Sequence, residues 1–114
     1  MQIYGGYRLT EEQVKAWCHS QGTDPQPGTY IVVIMRYLTA NHIQIDVLPC
    51  DYEGECIHLV VTDKKADYDA TPDKYEQLQE SDRARAIKQK VLDQGFDSAD
   101  FVTVPDPYKV WQGW

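Results

Sequence analysis

The chain has 114 residues, enough for one continuous core and too few for two, so a single domain spanning 1–114 is expected. At 42% hydrophobic and 25% charged residues, it has the composition of a globular protein and not of a disordered one. A formal net charge of −7 argues against nucleic acid or an anionic membrane surface as partner, since both are held by clustered Lys and Arg.

In chain order, Met1–Arg8 lacks the basic-then-apolar run of a secretory signal, and Tyr4-Gly5-Gly6-Tyr7 reads as a tight turn between packing aromatics. The first helix is signalled by Thr10 and Gln13 as a capping box, by Val14, Trp17, Cys18 and Gln21 on one face, and by Gly22 as a left-handed stop. After the turn-rich Thr23–Gly28, the apolar, β-branched run Tyr30–Leu38 reads as a central strand. Ile43, Ile45 and Val47 alternate with Gln44 and Asp46, and Ile57, Leu59 and Val61 alternate with His58 and Thr62, as in strands with one face on a core. Short loops make these three strands an antiparallel meander.

Thr71-Pro72 opens a helical stretch. Leu78 falls out of phase with Ala84, Ile87 and Val91, so a break is expected near Ser81-Asp82, with a second helix running to Gln94 and ending at Gly95. The basic residues Arg83, Arg85, Lys88 and Lys90 on it read as a solvated face. Phe101–Val104 reads as a short fourth strand ended by Pro105-Asp106-Pro107. The expected fold is α+β: an N-terminal helix, a three-stranded antiparallel meander, one or two helices and a short fourth strand, with the helices packed on one face of the sheet.

Pairing Cys50 with Cys56 places Leu48 opposite His58, and a short connection at Thr39–Asn41 places Arg36 opposite Gln44. Arg36, Gln44, Asp46, Cys50, Cys56 and His58 then share one polar face. Two readings of that face are open. As a pocket, it holds a small anionic ligand through Arg36, Gln44, Asp46 and His58, with Trp111 as a neighbouring aromatic; His58 and Asp46 could then transfer protons while Arg36 holds an anionic substrate. As a plain surface, it is the solvated side of an antiparallel sheet.

Other chemistry has weaker signals. Cys50, Cys56 and His58 lack the spacing of a zinc knuckle, the acidic loop Asp51–Glu55 lacks the EF-hand pattern, and no nucleotide or nucleophile-elbow motif occurs. No metal and no cofactor are expected. Cys18, Cys50 and Cys56 form an odd set that suits a reducing, cytoplasmic location. The aromatic tail with Tyr108, Trp111 and Trp114 could cap its own core, pack across a homodimer or line a cleft. The leading expectation is a binding module for a protein partner or small anionic ligand; the alternative is a cofactor-free acid–base enzyme.

Overall fold

The computed structural model describes residues 1–92, 95–96 and 99–105. It has α+β architecture, with strands β1 (Gln2–Thr10), β2 (Val47–Tyr52), β3 (Glu55–Ala66) and β4 (Asp100–Pro105) and helices α1 (Glu11–Ser20), α2 (Tyr30–Ala40) and α3 (Asp82–Ile87). A π-helical turn, Lys88–Leu92, prolongs α3. The four strands form one antiparallel sheet in the order β2-β3-β1-β4. Among the described residues no helix is long and apolar enough to cross a membrane.

The first strand runs straight into the first helix. Thr10 ends β1 and caps α1: its hydroxyl accepts from the Gln13 backbone N–H at 3.1 Å while the Gln13 side chain accepts from the Thr10 N–H at 2.8 Å. The helix ends as the sequence predicts, with Gly22 at φ 77° and Thr23 N–H donating back to the Cys18 carbonyl.

The interior strands are β3 and β1, and Tyr30–Leu38 is not a strand but forms α2. Tyr30, Ile34 and Leu38 are buried at four-residue intervals, so this apolar run has a helical period as well as strand-like composition, and packing decides between them. The glycines that made β1 look like a turn are what permit its central place. A Cβ on Gly5 would stand 2.9 Å from the Phe101 ring, and one on Gly6 would stand 2.1 Å from the Val60 carbonyl oxygen.

Segment 43–46 carries the expected alternation but is not itself strand, since β2 begins at Val47. No helix begins at Thr71-Pro72. Thr71 instead closes a short turn on Lys74, and Leu78 N–H donates to the Thr103 hydroxyl at 2.9 Å, which ties this segment to β4. There is accordingly no helix to break near Ser81, but a helix does start there as expected: the Ser81 hydroxyl caps α3 by accepting from Ala84 N–H at 3.1 Å. Gln94, the expected end of that helix, lies outside the described residues.

Two core clusters result. The first joins Val14 and Cys18 of α1, Tyr30, Ile34 and Leu38 of α2, and Ala84 of α3 to Tyr7, Leu9, Val47 and Val60 of the sheet. Trp17 packs on it against Tyr37 and Phe96, with ring centroids 4.8 and 5.0 Å away. The second cluster consists of sheet residues: Tyr4, Leu48, Cys50, Ile57, Leu59, Val61, Val102 and Val104. Fully burying a side chain such as Ile57 or Leu59 contributes about 1.5–3 kcal/mol. Both sides of β3 therefore carry core.

Candidate functional site

The β2–β3 hairpin turns on two residues, with Glu53 at φ 52° and Gly54 at φ 77°, and Tyr52 pairs with Glu55. This left-handed pair is the geometry of a type I′ turn. It sets Cys50 opposite Ile57 and Asp51 opposite Cys56, one step from the expected Cys50–Cys56 pairing. Because side chains alternate, that step puts Cys50 on the face opposite Cys56 and His58. All three cysteines are free thiols. Burial, with Cys56 and Asp51 nearby, pushes the Cys50 thiol up to about 12. The Cys56 thiol is also raised, by burial and by Glu11 and Asp51; neither is an activated nucleophile.

The expected constellation of Arg36, Gln44, Asp46 and His58 does not assemble. Arg36 sits exposed on α2, because its segment is helical. His58 pairs with Leu9 and Pro49 and is 5% exposed, its ring 6.2 Å from that of Tyr30. Burial lowers its pKa, with Glu11 opposing, and Nδ1 has no hydrogen-bond partner among the described residues. His58 is thus a neutral core histidine. Trp111 lies outside the described residues. Gln44 and Asp46 do come together, at a different place.

That place is organised by an irregularity in β3. Gly6 pairs with Val61 and Gly5 with Asp63, which leaves Thr62 as the extra residue of a bulge. Beyond the bulge the alternation of β3 is inverted, and Lys64 pairs with Tyr4 on the face of the second cluster. The bulge also anchors α3. Asp63 accepts from the Thr62 hydroxyl at 2.7 Å and from the Ser81 hydroxyl at 3.2 Å, while Arg83 donates through Nη1 to the Thr62 carbonyl at 3.3 Å.

Between the bulge, the end of α2 and the 43–46 segment lies an open cleft of about 630 Å³. Met35, Ile43 and Ile45 give it apolar surface; Gln44, Asp46, Lys64 and Arg83 supply polar groups. Lys64 Nζ stands 3.3 Å from the Asp46 carboxylate. Asp46 is held by its own backbone, whose carbonyl accepts from Val61 N–H at 2.9 Å. A second groove of about 330 Å³ adjoins the first across Ile43, Gln44, Ile45 and Arg83, and adds His42 and Lys90. Together the two grooves gather Lys64, Arg83 and Lys90 against one carboxylate, Asp46.

No protein-family model matches the chain, and no curated protein or solved structure matches it significantly.

His42 enters this site through the way α2 stops. Its N–H donates to the Thr39 carbonyl at 3.0 Å and the next N–H, of Ile43, donates to Leu38 at 2.9 Å. This is a Schellman ending with a histidine at φ 62° where glycine is usual. Sequence reasoning found Gln44 and Asp46, and noticed the basic residues of α3 but read them as a solvated face. Arg85 does pair with Asp82 and Glu80, whereas Arg83 and Lys90, which have no ion-pair partner among the described residues, line the grooves. No local signal marks that difference, since it depends on the bulge, whose Asp63 and Thr62 lie 18 and 21 positions before the Ser81 and Arg83 that they bond.

Proposed function

We propose that this chain is a binding module for a small anionic ligand, taken up in the paired grooves around Arg83. The observation that carries this reading is the local reversal of charge: in a chain of net charge −7, the grooves hold three cations and one carboxylate. Arg83 has one nitrogen on the Thr62 carbonyl, and its remaining donors form a planar fork suited to phosphate or carboxylate. Lys64, already beside Asp46, contributes less net charge than Arg83 or Lys90.

A protein partner is the second reading. Val32 and Met35 of α2 are 45% and 44% exposed, and Met35 also lines the larger groove. A partner presenting a carboxylate or phosphate beside an apolar side chain would use the same groups. The acid–base alternative has no comparable support, because His58 is buried against Tyr30 while Asp46 faces the cleft with Lys64. Three free thiols favour a reducing, cytoplasmic setting for this activity.

The test is an amide-resolved NMR titration with inorganic phosphate and with a short phosphomonoester. Saturable shifts confined to Gln44, Asp46, Thr62 and Lys64, lost in Arg83→Ala, support the reading. Shifts spread over all surface amides, or unchanged in Arg83→Ala, overturn it.

A further inference from the structure

The two grooves around Arg83 differ in charge. The smaller one carries His42, Arg83 and Lys90 beside the apolar Ile43 and Ile87, and among the described residues that line it there is no carboxylate. The larger one adds Lys64, but with it Asp46, whose carboxylate stands 3.3 Å from the Lys64 ammonium. An anion is therefore drawn to the Arg83–Lys90 side and away from Asp46. The segment 43–46 builds this asymmetry. Ile43 and Ile45 pack on the first core cluster, and the Asp46 carbonyl is held by Val61 N–H; Gln44 and Asp46, which alternate with the two isoleucines, are exposed and line the larger groove. The grooves measure about 630 and 330 Å³, within the roughly 300–1,000 Å³ of small-molecule sites. A phosphate group alone leaves the larger one unfilled.

We infer that the ligand is a sugar phosphate, its phosphate on the Arg83 guanidinium beside Lys90 and its hydroxyls on Asp46, Lys64 and Gln44. This inference rests on the anion-binding reading of the grooves and adds what the ligand carries beyond its anion. The Asp46–Lys64 pair decides the class by elimination. A second phosphate or carboxylate entering the larger groove would meet Asp46, and an ammonium would meet Lys64. A wholly apolar body would strip water from both charges and return no hydrogen bond. Neighbouring hydroxyls suit the pair, because each one donates to a carboxylate and accepts from an ammonium, and the Gln44 amide does both in turn. Met35 and Ile43, on the apolar side of the same groove, offer a surface for the C–H face of a sugar ring. Arg83 keeps donors beyond the one on the Thr62 carbonyl, in the planar arrangement that phosphate accepts from.

The test compares glucose-6-phosphate with cyclohexylmethyl phosphate, which keeps a six-membered ring and the phosphate link but has no hydroxyls, by NMR titration of the intact chain. The sugar phosphate is expected to bind roughly tenfold more tightly, the equivalent of one charge-assisted hydrogen bond. Asp46→Ala should abolish that preference while leaving cyclohexylmethyl phosphate bound at least as tightly as before. Lys90→Gln should weaken both ligands several-fold and keep the preference. Asp46 and Lys90 are exposed, so neither change threatens the fold. If both phosphates shift the groove amides but bind equally, or if the preference survives Asp46→Ala, the sugar phosphate is overturned and the anion site stands. If Lys90→Gln changes neither affinity, the placement of the phosphate is overturned. If neither compound gives saturable shifts in the grooves, the anion site falls and the sugar phosphate falls with it.

Discussion

Tyr7 donates its phenolic hydrogen to the Glu80 carboxylate at 2.7 Å, across 73 positions of sequence. The ring sits wholly buried in the first cluster, edge-on to Phe101 at 5.6 Å, so this bond pins the extended segment before α3 onto β1. Tyr7→Phe keeps the ring and removes the donor. Hydrogen bonds to charged groups are worth about 1.5–3 kcal/mol, and half-burial of Glu80 places the expected loss near the lower end, read as a lowered midpoint in urea unfolding.

The same pair predicts alkaline lability. Burial, then the hydrogen bond and charge of Glu80, raise the Tyr7 pKa above its ordinary value of 10.0. The folded state therefore keeps a proton that the unfolded chain releases. Its contribution is fully present below pH 10 and is lost as pH climbs beyond that point. Unfolding free energy should fall steeply above pH 10 in the parent chain. In Tyr7→Phe the fall should be shallower by one proton's worth of slope; an identical slope in both proteins would mean that Tyr7 is not the group concerned.

His58 predicts the opposite limb. Its pKa is lowered by burial, so the neutral ring belongs to the folded state and the unfolded chain takes up the proton first. The stabilisation is present above the ordinary histidine pKa of 6.5 and is lost as pH falls below it. His58→Phe should remove the histidine part of this dependence. It also replaces an unpartnered buried nitrogen, and a gain of about 1 kcal/mol at pH 7 is expected, measured by thermal unfolding at pH 5 and pH 7.

How much of this was visible in the sequence depends on whether the deciding contact is local. The capping box at Thr10 and Gln13, the Gly22 stop and the Ser81 cap are local, and each is found where spacing puts it. α2 reads as a strand and β1 as a turn in the sequence because their fates rest on neighbours. Tyr30–Leu38 meets the sheet along one helical stripe, and Gly5 and Gly6 are small because Phe101 and Val60 press on them. The hairpin register slipped by one because Glu53 takes a left-handed conformation that Asn or Asp would have advertised. The site itself depends on the Thr62 bulge, which no alternation of residue types announces.

Gly6 offers a sharp check on that bulge. An added Cβ would lie 2.1 Å from the Val60 carbonyl oxygen and 3.1 Å from the Val61 Cα, both backbone atoms that cannot rotate away. Gly6→Ala must force β1 from β3 beside the bulge, at a cost of about 3 kcal/mol or more. Gly28→Ala, with nothing within 4 Å of the new atom, serves as the control and should change the unfolding midpoint little. Equal midpoints for the two variants would contradict the close strand approach.

His42 separates stability from binding. A non-glycine residue at φ 62° carries conformational strain, and His42→Gly relieves it at an αL helix end where glycine is favoured, for an expected gain of about 0.5–1 kcal/mol. The imidazole it removes lines the smaller groove with Arg83 and Lys90. If the groove takes anions, the stabilised variant should bind phosphate several-fold more weakly, since it lacks a ring nitrogen that can donate to the anion. Arg83→Lys keeps a charge without the planar fork and should lose affinity at every pH. A His42→Gly protein that is more stable and binds phosphate as tightly as the parent would confine the role of His42 to ending α2.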